Sequence, residues 1–152
     1  MTNTNRYFGF VPQAFGFVLV VLLSISQPAF SRVGDAIELP EAVSDQELIQ
    51  SVIDAQMAAF RDRDFEQAMS FADPSIQGLF VDASRFGAMV EQGYEPIYNN
   101  ASHNFIEFNQ LGAVAVQVLS VQSDSGTQAI AQYRLSKASG SWRITGVLMQ
   151  LM

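Results

Sequence analysis

The side chains able to do chemistry are few, and several sit in one stretch. "GYEPIYNNASHNF", residues 93–105, holds Tyr94, Tyr98 and His103, the only histidine, with Glu107 two residues further on. If the chain is extended there, His103 and Glu107 share parity and project from one face. Such a pair could move a proton, with Tyr94 or Tyr98 as hydrogen-bond donor, if a desolvated pocket tuned the base. The plainer alternative is a solvated strand end. Phe105 shares parity with Glu107, whereas Ile106 and Phe108 hold the other face, so either face could be the inner one.

Other chemistries lack their residues. One His and no Cys make no transition-metal site of the usual kind, and the scattered acids show no calcium-loop spacing. Phosphate-loop and nucleophile-elbow patterns are also missing, so no metal and no cofactor is expected. Asp54 and Asp73 fit helix surfaces or caps, and Asn100-Ala101-Ser102 reads as a chance match to a glycosylation sequon. Tyr133 and Trp142 join Tyr94 and Tyr98 as rings with one polar handle. That chemistry suits the mouth of a pocket or a protein interface. The alternative for all four is a core whose polar tips lie at its edge.

These residues need elements to hold them. "SDQE" (44–47) is a capping box. Behind it Ile49, Val52, Ile53, Met57 and Phe60 form one helical stripe, predicting a first helix over about 45–62. "RDRDFEQA" (61–68) reads as a solvated corner, where Asp64 caps a second helix that stops before Pro74. "SIQGLF" (75–80) is an irregular or single-turn connector. A third helix over about 83–92 starts at Asp82 and ends at Gly93, and Pro96 prevents its continuation. After residue 100 the period changes to two. "HNFIEFNQ", "AVAVQVLSVQ", "TQAIAQYRLSK" and "SWRITGVLMQL" read as four strands, with hairpin chemistry in "SDSG" and "ASGS". Trp142, Ile144 and Leu148 are expected on one side of the last strand. Three helices followed by an antiparallel meander give an α+β fold: three N-terminal helices packed on a bent four-stranded sheet.

The chain start reads differently. A lone Arg6 precedes the apolar run "AFGFVLVVLLSI" (14–25), and Ala29 and Ser31 have the small-x-small spacing of a signal-peptidase site. Residues 1–31 are therefore expected to be a signal peptide cleaved after Ser31, too short in its apolar run for a spanning helix of roughly 20 residues. An uncleaved anchor is the competing reading. Residues 32–44 form a linker or arm, and 45–152 the domain. After cleavage, 121 residues keep all 15 acids but seven of the eight basic residues. That balance disfavours nucleic acid and anionic lipid as partners. Without cysteine, an exported domain must be held by an ordinary core.

Three stretches carry a closer likeness. "AQMAAFRDRDFEQAMSFADPSIQGLF", "FGAMVEQGYEPIY" and "GSWRITGVLM" resemble the bacterial family of the domain of unknown function 4864 (DUF4864), within the NTF2-like, cystatin-like cone fold. The resemblance spans roughly residues 46–150. It implies a cone fold and an exported bacterial protein, and brings no catalytic residue with it. The expected role is an exported periplasmic or extracellular domain that is not an enzyme and binds a small apolar ligand or a protein partner. Two alternatives stand beside it: a cofactor-free acid–base enzyme using His103 or Glu107, and a structural domain that forms homodimers through its sheet.

Overall fold

The computed structural model describes residues 42–152. The signal peptide and most of the arm expected at the chain start lie outside the described residues. The first helix, α1 (Asp45–Arg61), opens with Ser44, whose Oγ accepts from the Glu47 amide while Glu47 accepts back from the Ser44 N–H. Short α2 (Phe65–Ser70) is capped by Asp64, and one-turn α3 (Pro74–Gln77) by Asp73. Helix α4 (Ala83–Gly93) starts at Asp82, as its sequence predicts. Pro96 does not merely stop it. Proline is tolerated in a first helical turn, where its missing N–H has no partner to lose, and here it lies in a further single turn, α5 (Glu95–Tyr98).

Four strands follow, β1 (Asn100–Leu111), β2 (Val114–Ser123), β3 (Gln128–Ala138) and β4 (Ser141–Leu151), in the order β1-β2-β3-β4 and all antiparallel. Ser139 and Gly140 both take positive φ (51° and 83°) in the last hairpin, the requirement of a two-residue turn whose twist matches the strands. The fold is thus the α+β arrangement expected, with α3 as the single turn of the connector and α5 as one extra helical turn.

The ladders are irregular at three places, one at Ala101 at the start of β1 and two further along that shape the sheet. The β1–β2 register skips at Ile106 and the β3–β4 register skips at Thr145. Such bulges bend a strand and strengthen its twist, which curves the sheet around α1. Each also reverses side-chain parity beyond it. Ile49, Ile53, Met57 and Phe60 of α1 pack into the concave face against Leu119, Val121, Ala131, Tyr133 and Leu135. Each such side chain contributes about 1.5–3 kcal/mol when fully buried. The outer edge of β4 is not left bare: Phe71 and Asp73 exchange backbone hydrogen bonds with Ile144 at 3.0 and 2.8 Å.

Candidate functional site

Between α1, the α3–α4 segment and the β3–β4 half of the sheet lies a cavity of about 270 Å3. Gln56 and Phe60 come from α1, Phe86, Met89 and Val90 from α4, and Tyr133, Ile144 and Val147 from the sheet. The Thr145 bulge decides the last of these. Val147 sits opposite inward-facing Tyr133, while Leu148 turns outward and is 54% exposed, so the expected row of Trp142, Ile144 and Leu148 is broken after Ile144. Phe86 packs against Phe60 and Phe80, with ring centroids 5.8 and 5.3 Å apart. Leu79, at the end of the α3 segment, lines the cavity yet is 77% exposed, which marks the mouth.

Polar groups in this wall number only a few. Gln56 is buried and donates from Nε2 to the Ala68 carbonyl at 3.1 Å. Tyr94 donates to the Val147 carbonyl over a long 3.4 Å. The Tyr133 hydroxyl is fully buried and has no hydrogen-bond partner among the described residues. Burial pushes its pKa well up, so the hydroxyl keeps its proton at neutral pH. Among the described residues, no Asp, Glu, Lys, Arg or His lines the cavity.

The expected site residues therefore separate. Tyr94 and Tyr133 reach the cavity. Tyr98 does not: its ring packs between Phe60 and Phe65, with the Arg63 guanidinium 3.9 Å over its face. Trp142 is buried at the opposite end of α1, where its Nε1 donates to Asp45 Oδ1 at 2.9 Å. His103 and Glu107 are not paired, because the Ile106 bulge puts them on opposite faces. Instead His103 Nε2 lies 2.7 Å from Asp54 of α1, and exposed Glu107 accepts from Asn109 at 2.7 Å. Neither lines the cavity, and no residue of β1 or β2 does.

Among the described residues no cluster of three or more His, Cys, Asp or Glu could hold a metal ion. The family model for the domain of unknown function DUF4864 matches residues 42–151. The chain belongs to the DUF4864 family. No match was found among curated proteins. Among solved structures, an NTF2-like protein of unknown function from Methylobacillus flagellatus aligns with a TM-score of 0.53 at 16% identity, covering 73% of this chain and 96% of its own. Another, from Silicibacter pomeroyi, gives 0.51 at 12% identity, covering 72% and 100%. At these identities the likeness carries the NTF2-like fold and no activity.

In this DUF4864 domain several working residues are unremarkable in sequence. The corner "RDRD" is exposed, as expected of a charge run, and its arginines also act as a clamp. Arg63 takes a left-handed φ of 58° where glycine usually closes a helix. It donates to the Phe60 and Tyr98 carbonyls, both at 3.0 Å, and to Asn99 Oδ1 at 2.7 Å. Asn100 is buried, gives its Nδ2 to the Met57 and Ile97 carbonyls at 3.1 and 2.7 Å, and accepts from Arg61. Its amide nitrogen, the atom a glycan would need, is therefore occupied. Gln56 carried only a hint in advance: a long polar residue inside an apolar helical stripe.

Proposed function

We propose that this chain is an exported, non-enzymatic binding domain whose cone takes up a small apolar molecule. The observation that carries this reading is the cavity of about 270 Å3, walled by aliphatic and aromatic side chains and open beside Leu79. Its size falls just below that of most small-molecule sites, roughly 300–1,000 Å3, so it suits a small occupant, and its mix of apolar wall with few polar groups matches theirs. The position of the titratable groups favours binding over acid–base chemistry. A base must come within hydrogen-bond reach of its proton, and His103 and Glu107 sit on β1, away from this wall. Export rests on the leader pattern of residues 1–31.

The test is to fill the cavity. Val147→Phe adds bulk to a wall with room for it, so stability should move by no more than about 1–2 kcal/mol. Tetralin, a bicyclic hydrocarbon, should bind the wild-type protein in ligand-observed NMR and fail to bind this variant. Unchanged binding would refute the cavity as the site.

A second reading has its own observation. Beyond the core, β2 presents Val114, Val116 and Val118 outward, and Leu148 lies on the same outer face, on the Val118–Gln132 row. Val114 and Leu148 are more than half exposed (55% and 54%). Apolar area of this kind on a sheet suits a homodimer or a protein partner. Light scattering of the concentrated chain decides the dimer: a strict monomer removes it.

A further inference from the structure

We infer that the molecule bound in the cavity is uncharged and carries a hydrogen-bond acceptor, such as a ketone, ester or amide carbonyl, on its apolar body, with the Tyr133 hydroxyl as the group that receives it. This rests on the binding role proposed for the same cavity and narrows it to a chemical class.

The first support is the hydroxyl itself. Tyr133 is among the residues lining the cavity, its oxygen has no partner among the described residues, and no water-sized sphere touches that oxygen, so neighbouring wall side chains must shift for an acceptor to reach it. Buried polar atoms in native proteins almost always have one, and leaving a hydroxyl unpaired is costly. A partner from outside the chain resolves the conflict. Phenylalanine would fill the same space at the centre of β3 without that cost, so the hydroxyl has a use that packing does not supply.

A further support is what the wall lacks. With no ionisable side chain among the lining residues other than tyrosine, a carboxylate or ammonium entering the cavity would lose its water and gain no opposite charge. Fatty-acid-like anions and amines are thereby disfavoured. The third support is direction. One Gln56 N–H already donates to Ala68, its Oε1 can only accept, and Tyr94 turns its proton to Val147. Among the described residues Tyr133 holds the one O–H of the wall with no acceptor, so an acceptor is the complement of that hydroxyl.

Three bicyclic probes of similar shape separate the possibilities: tetralin, 1-tetralone and tetralin-1-carboxylate, each titrated into the purified protein at pH 7. The ketone should bind about two- to tenfold tighter than the hydrocarbon, the worth of one net hydrogen bond. The carboxylate should bind more weakly than either. Tyr133→Phe should erase the ketone's advantage and leave tetralin unchanged, and it should melt at or above the wild-type temperature. A ketone advantage that survives Tyr133→Phe overturns the inference. So does tight carboxylate binding, or a variant that melts well below wild type, which would mean the hydroxyl serves the fold. Equal binding of tetralin and tetralone to wild type also overturns it, the hydroxyl then being served by water, while leaving the cavity a binding site. If no probe binds wild type, the binding role falls as well.

Discussion

The two flanks of α1 are built on opposite terms. On the side facing α5 and β1, the polar side chains are used up. Arg61 and Asn100 bond each other, Arg63 holds two carbonyls and Asn99, and Asp54 meets His103. On the side facing α4, β3 and β4 the wall is apolar, and its one fully buried hydroxyl has no partner among the described residues. The polar flank gathers most of the residues that look reactive in sequence, yet its groups hold helices to strands. The apolar flank has the composition of ordinary core and contains the space. On the proposed binding role, a missing partner marks the site better than a density of polar residues does.

The largest effect should come from the polar flank. Asn100→Ala removes a buried amide and leaves the Met57 and Ile97 carbonyls and the Arg61 guanidinium without their partner. Each unsatisfied buried group costs about 1–3 kcal/mol, so a loss of about 2–4 kcal/mol is expected in urea denaturation. Tetralin affinity of the folded fraction should not change. A loss of affinity as large as the loss of stability would show that the two flanks are one unit, which would break the comparison.

Next in size is an effect of pH at the N-terminal end of α1. Asp45 accepts from Lys137 at 2.7 Å, from Trp142 at 2.9 Å and from Gln110 at 2.9 Å, and these bonds, the Lys137 one foremost, lower its pKa from 3.8 to about 2. Glu47 is lowered by the Ser44 backbone and side chain, and Asp73 by the Ser75 side chain and backbone. A carboxylate lowered in the folded state adds stability above its unfolded pKa and loses it as pH falls through the folded value. For Asp45 that window runs from 3.8 down to about 2. Wild type should therefore be more stable than Asp45→Asn at pH 6, and the gap between their urea midpoints should close by about pH 2. A gap independent of pH would mean that charge plays no part in docking this helix end.

Much of the fold was legible because its signals are local. A capping box at Ser44, acids at Asp64 and Asp82, and the change of period after residue 100 each act within a few residues. The site was less legible because it depends on two bulges. Nothing in "HNFIEFNQ" or "SWRITGVLMQL" announces that Ile106 and Thr145 fall outside the ladder. Parity counted through them pairs His103 with Glu107 and puts Leu148 inside instead of Val147. The tyrosines were legible as a class and not as individuals. Tyr94 and Tyr98 lie four residues apart, yet one lines the cavity and the other fills the gap under Arg63. Tyr133 reads as one inward residue of an alternating strand, and that its hydroxyl lacks a partner is visible only in three dimensions.

The smallest effect should come from the most conspicuous residue. His103 and Asp54 are 2.7 Å apart, but the Asp54 side chain is 53% exposed, so water competes for the pair. Exposed ion pairs are worth about 0–1 kcal/mol. His103→Asn keeps a polar group at the strand end and removes the imidazole that meets Asp54. It should cost less than about 1 kcal/mol at pH 6, and tetralin and tetralone should bind as they do to wild type. A several-fold loss of ketone affinity would place His103 in reach of the ligand despite its position on β1. That result would reopen the acid–base alternative, since the only histidine would then act on the occupant of the cone rather than on the α1–β1 contact.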